Sequence, residues 1–150
     1  MINFKIHKQM CMVLAVVISS IMLIGCSKML YPPEWGERLE YKGSSLFYTQ
    51  AVTETEAGKL GDYLLETGFF QTEHPGTVQI TKEGGTYQFR MVIKDEKEIE
   101  VEFLNLAAMF AAEISRDVFE GKQVEVHLCD KDFKTLRVTT YQFKEEIQEE

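Results

Sequence analysis

The feature that most constrains this chain is an order spelled twice between Thr53 and Tyr141: an amphipathic helix, then two strands. The first helix has clear ends. Thr53-Glu54-Thr55-Glu56 sets a threonine N-cap three residues before a glutamate, the capping-box spacing that satisfies two orphan amides. Ala57, Leu60, Gly61 and Leu64 recur at helical spacing as the buried stripe, and Gly68 suits a left-handed cap that stops the helix at about Thr67. Thr77 to Lys82 and Thr86 to Lys94 then alternate around Gly84-Gly85, the signature of a tight primed hairpin. That alternation turns Val78, Ile80, Tyr87, Phe89, Met91 and Ile93 inward.

The second pass begins ambiguously. Ile99, Val101 and Phe103 alternate with glutamates as a strand would, whereas Ile99, Phe103, Leu106, Phe110, Ile114 and Val118 step by three or four as a helix would. Ala107, Ala108, Ala111 and Ala112 favour the helix, so residues 97–103 are read as the start of one long helix from about Glu98 to Phe119, closed by Gly121. Gln123 to Asp130 and Lys134 to Tyr141 form a second hairpin, and Arg38 to Lys42 with Ser45 to Gln50 form an earlier one around Gly43-Ser44. Three elements echo in order: Ala57 to Phe69 with Ala107 to Phe119 at an offset of 50 residues, then Val78-Gln79-Ile80 with Val124-Glu125-Val126 and Phe89-Arg90-Met91 with Leu136-Arg137-Val138 at 46–47. The echo admits either a degenerate duplication or two units that arose independently. The predicted class is α+β: a two-layer α/β sandwich of two α-β-β units, with an antiparallel-rich sheet and both helices on one face.

Alternation also predicts what the other face carries: Gln79, Thr81, Gln88, Arg90, Glu125, His127, Cys129, Arg137, Thr139 and Tyr141. His127 and Cys129 are two residues apart on one strand, so they share a face, and an imidazole beside a thiol can favour the nucleophilic thiolate. The same pair reads equally as a polar sheet face with a covered thiol, and Asp130 as a turn residue. Arg90 and Arg137 occupy matching places in the two hairpins and are expected on the same face, able to fork onto an anion or to pair with Glu125. Arg90, His127, Cys129 and Arg137 are thus the candidate sheet-face site. No catalytic set, cofactor motif or metal cluster is predicted; His74 falls in a Pro-Gly loop, and no CxxC or HxxxH pair occurs.

The first 26 residues have a different character. Lys5, His7 and Lys8 precede an apolar run from Met10 to Ile24, broken only by Ser19 and Ser20. At about 15 residues the run is shorter than the roughly 20 needed to span a bilayer as a helix. Leu23-Ile24-Gly25-Cys26 resembles the lipobox of bacterial lipoprotein signal peptides. The resemblance implies cleavage before Cys26, a thioether-linked diacylglycerol on that cysteine and an N-acyl chain such as palmitate, enough to anchor stably. It also implies an extracytoplasmic place on the inner or outer membrane of a bacterial envelope. The expected organisation is a signal peptide over 1–25, a lipidated tether over 26–36 containing Pro32-Pro33, an α/β domain over 37–143 and an acidic tail over 144–150.

Processing would leave 125 residues, enough for one domain with its own core. It removes Lys5 and Lys8 but none of the 24 acidic residues, taking the net charge from −8 to −10. Such a surface repels nucleic-acid phosphates. With Cys11 removed and Cys26 lipidated, Cys129 has no cysteine to pair with in its own chain. The body resembles an uncharacterised α/β module of hypothetical bacterial membrane-associated proteins and lipoproteins. The residues that carry the likeness are Tyr48-Thr49, Leu60-Gly61-Asp62-Tyr63-Leu64, Gly68-Phe69-Phe70, Val118-Phe119, Val124 to Asp130 and Lys134 to Val138. It implies no activity. The functional expectation is a lipid-anchored binding or structural module with an envelope protein as partner and no stated oligomeric state. The competing readings are a thiol enzyme using Cys129 and His127, and an anion binder using Arg90 and Arg137.

Overall fold

A computed structural model describes residues 31–94 and 99–141. The chain divides at Pro32/Pro33, and the fold below is that of the second unit. Its elements are a 3-10 turn (Pro33–Trp35), β1 (Glu37–Tyr41), β2 (Ser44–Tyr48), α1 (Glu54–Glu66), β3 (Thr77–Glu83), β4 (Thr86–Val92), α2 (Val101–Asp117), β5 (Val124–Cys129) and β6 (Thr135–Thr140). The strands form one sheet in the order β1 to β6, so every strand lies beside its sequence neighbour. Three antiparallel hairpins are joined by two parallel crossovers, β2–β3 through α1 and β4–β5 through α2. This is the predicted α+β sandwich of two α-β-β units, preceded by a hairpin.

Local chemistry explains most of the boundaries. Thr53 and Glu56 complete the capping box of α1, and Gly68, at φ 75°, follows its C-cap Thr67. The first hairpin turns at Lys42-Gly43, both with positive φ, rather than at Gly43-Ser44; Ser44 is already in β2. The helical reading of the ambiguous stretch holds, but α2 starts at Val101, and its N-cap Glu100 makes no side-chain capping bond. The predicted start at Glu98 falls in 95–98, outside the described residues, as does the tail from 144.

One apolar core fills the space between sheet and helices. Leu46, Val78, Ile80, Tyr87, Phe89, Val124, Val126 and Leu128 meet Leu60 and Leu64 of α1 and Ala107, Ala111 and Ile114 of α2. Phe69 stacks on Phe110 at 5.3 Å between ring centres, and both meet Phe89 edge-on, closing the gap between the helices. Both helices therefore lie on one face. That has a topological consequence. The two crossovers step the same way across the sheet but leave from oppositely directed strands, so with helices on a common face they have opposite hands. One of them is left-handed, against the strong usual preference. For the same reason no rotation superposes α1-β3-β4 on α2-β5-β6, so the sequence echo is not a duplicated structural unit.

Tight helix–sheet approach depends on one glycine. A Cβ on Gly61 would lie 2.1 Å from the Tyr41 ring, whereas one on Gly58 meets nothing within 4 Å. Gly61→Ala is therefore expected to destabilise by about 1–2 kcal/mol through overpacking, tempered by movement of the Tyr41 ring. Gly58→Ala should stabilise by about 0.5–1 kcal/mol through helix propensity. Denaturant midpoints of the two variants would test this; a shift of the same sign in both contradicts it.

Candidate functional site

The back face of the sheet, opposite the helices, is where chemistry-bearing side chains gather. Register aligns Phe47, Gln79, Arg90 and His127 on β2, β3, β4 and β5 as one row. The adjoining row holds Val92 and Cys129. The predicted face is not open over its middle. Trp35 from the 3-10 turn and Phe133 from the β5–β6 loop lie across it, with ring centres 5.0 Å apart and both against Phe47. Phe47, Cys129 and Phe133 form a second small core, with Trp35 and Val92 packed against it.

Two local devices hold this roof in place. Gln79 Nε2 donates to the carbonyls of Glu34 (3.2 Å) and Trp35 (3.1 Å), while Gly36 N–H donates to Pro33 O at 3.1 Å. Residues 33–36, assigned from sequence to the tether, therefore belong to the fold. On the other side the Asp130 carboxylate accepts from the backbone N–H of Asp132 (3.0 Å) and Lys134 (2.9 Å), which folds the loop so that Phe133, at φ 58°, turns inward. Those bonds hold the Asp130 carboxyl below the usual carboxylate range. Asp130 is the turn residue expected.

Beneath the roof runs a hydrogen-bonded chain centred on Thr135. His127 Nε2 meets Glu125 Oε2 at 3.2 Å, and its Nδ1 meets Thr135 Oγ1 at 3.1 Å. Arg90 donates from Nη2 to the Phe133 carbonyl and to Thr135 Oγ1 (3.3 Å). Its buried Nε–H finds no acceptor among the described residues. Cys129 is fully buried; its thiol donates to the His127 carbonyl at 3.5 Å rather than facing the imidazole. Burial pushes the thiol pKa up, outweighing the Arg90 guanidinium and Thr135 beside it. The sulfur is thus held neutral and out of solvent, the opposite of an activated nucleophile.

Arg90, His127 and Cys129 come together as their alternation predicts. Arg137 does not. A register shift at Leu128/Cys129 reverses side-chain parity along β6, pairing Arg137 with Leu128 and Thr139 with Val126, both on the helix side. Thr139 Oγ1 accordingly donates to the Leu104 carbonyl in α2 at 3.4 Å. Val138 and Thr140 take the back-face positions instead, and the two arginines cannot fork onto one ligand. Thr135, the hub, was missed because its role depends on that bulge. His74 is exposed in its loop.

Among the described residues no group of three or more His, Cys, Asp or Glu could hold a metal ion, and no helix is long and apolar enough to cross a membrane. Neither the curated proteins nor the solved structures include one that matches this chain. A family match does exist. It runs over residues 38–140, from the first hairpin to the last residue of β6, and takes in both crossovers and the whole back face. Over that span the chain belongs to the AF_1994_N family N-terminal domain.

Proposed function

We propose that the chain is a bacterial lipoprotein whose family domain works as a binding or structural module on the extracytoplasmic side of an envelope membrane. The observation that carries this reading is Leu23-Ile24-Gly25-Cys26 at the exit of a basic-flanked apolar run. Lipid on Cys26 would be the membrane anchor, with no nucleic acid involved at so acidic a surface. The second unit begins at Pro33, and on this reading residues 27–32 would be the tether. Such a tether reaches at most about 20 Å. A partner within that reach sits in the membrane or at its periphery. A binding role also suits a domain whose one thiol is buried and whose back-face polar groups bond mainly to one another.

Cys26→Ala tests the anchor. The expected product is an unlipidated precursor that retains residues 1–25 by mass and incorporates no labelled fatty acid. A variant that keeps the mass, mobility and membrane retention of the unaltered protein would refute it. Crosslinking in the native envelope, read by mass spectrometry, tests the binding role. Reproducible crosslinks to one protein are expected from this domain, and a diffuse background alone would argue against a partner.

A further inference from the structure

α2 buries Ala107, Ala111 and Ile114 in the core and carries two large apolar side chains on its outer side. Leu106 is 62% exposed and Met109 56%. Around Met109 the exposed residues are placed symmetrically. Asn105 and Glu113 stand four residues before and after it, and Glu102 and Arg116 seven residues before and after it. All four are exposed. Steps of three and four keep these residues on one stripe of the helix, and seven residues rise about 10 Å on either side of Met109.

The stripe is complementary to itself. Let a second copy lie antiparallel across it, with the two Met109 side chains at the twofold axis. Glu102 then meets Arg116 of the second copy, and Asn105 meets its Glu113, each pairing occurring twice. Acid faces base, and an amide N–H faces a carboxylate. Parallel pairing instead sets Glu102 on Glu102 and Arg116 on Arg116. The groups are available for the antiparallel arrangement. Glu102 and Asn105 have no side-chain partner among the described residues. Glu113 accepts from the Tyr63 hydroxyl through Oε2 at 3.5 Å, and Oε1 remains. Arg116 donates from Nε and Nη2 to the adjacent Asp117 at 2.7 Å, is 68% exposed along its side chain and keeps Nη1 for a second carboxylate.

We infer that α2 is a dimerisation helix, which pairs antiparallel with α2 of a second copy of this chain. Burial of Leu106 and Met109 at the centre supplies affinity, and the flanking pairs set direction and partner. With so few large apolar residues on the stripe, the dimer is a weak, reversible one. It goes beyond the proposed binding role and does not require the lipid anchor.

Sedimentation of the full chain in density-matched detergent tests this. A dimer is expected at about 100 µM, dissociating on dilution. Met109→Glu should abolish it. Arg116→Glu sets glutamate against Glu102, and Glu102→Arg sets arginine against Arg116, so each should weaken dimerisation at least about tenfold. Mixed together, these two variants should pair with each other about as tightly as the unaltered chain, because each supplies the charge the other lacks. Misfolding cannot produce that rescue, and melting temperatures at dilution should stay near that of the unaltered protein. A full chain that stays monomeric, a dimer indifferent to these substitutions, or a mixture that fails to pair would overturn the inference. So would a dimer that appears only after removal of residues 142–150, since the chain's own terminus would then occupy the helix face. None of these failures bears on the Cys26 or crosslinking results.

Discussion

Replacing Trp35 with alanine is expected to destabilise the domain by about 2–3 kcal/mol and to open Cys129 to alkylation. The stability estimate takes the lower side of Trp→Ala losses in cores, because Trp35 is only half-buried. What is lost is specific. Two edge-to-face contacts, to Phe47 and Phe133, disappear together, and the Gln79 amide loses a firmly placed pair of carbonyl acceptors. In the unaltered protein a thiol reagent should reach Cys129 only through opening of the fold, so labelling of its peptide, followed by mass spectrometry, should be slow. Trp35→Ala should speed it by about 10–100-fold. A helix-side variant of matched destabilisation, such as Phe110→Ala, separates local from global opening. If the two variants raise Cys129 labelling equally at matched stability, Trp35 is not a roof in its own right.

The local parts of this architecture were legible because each is written within a few residues. Thr53 and Glu56 announce a helix start, Gly84-Gly85 a hairpin, and the alternation of Tyr87, Phe89 and Met91 a buried strand face. What was not legible depends on residues far apart in the chain. Nothing in Pro33-Glu34-Trp35 reveals that Trp35 meets Phe133, and residues 33–36 therefore read as tether. The matching of Arg90 with Arg137 failed for a related reason. Strand parity survives only while the ladder is regular, and one bulge, set by how β6 pairs with β5, moves Arg137 to the other face. Neighbour order in the sheet is likewise a tertiary fact. The echo between the halves suggested repetition, whereas the strand order makes the two α-β-β units opposite in hand. The candidate site was thus found in its strand members and missed in its hub and cover.

The second large effect is expected at Glu56, which the capping box identified without its most consequential partner. Its carboxylate accepts from the Thr53 N–H and hydroxyl, each at 2.8 Å, and also from the hydroxyl of Tyr87 on β4. Tyr87 is fully buried, stacks on Phe119 at 3.8 Å between ring centres, and accepts from Lys82 Nζ at 3.3 Å. One glutamate therefore caps α1 and ties its N-terminus to the centre of the sheet. Hydrogen bonding from Tyr87, then from the Thr53 backbone, lowers the Glu56 pKa to about 2; burial, then the bond to Glu56, raises that of Tyr87 to about 12. The signs give a window. A lowered carboxyl stabilises the fold above its unfolded value of 4.5, and that contribution drains away as the pH falls towards 2. A raised phenol stabilises it below 10, and the contribution drains away as the pH rises towards 12. Glu56→Ala should cost about 2–4 kcal/mol at neutral pH, since it removes the carboxylate half of the capping box and leaves the buried Tyr87 O–H without its acceptor. The informative comparison is melting temperature against pH for Tyr87→Phe beside the unaltered protein. Because the other carboxylates titrate in both, the difference between the curves isolates the pair, and it should be widest from pH 5 to 9 and shrink at both ends. A difference independent of pH would mean that the hydroxyl does not act through the Glu56 carboxylate, and that the bond between helix start and sheet carries none of the stability assigned to it.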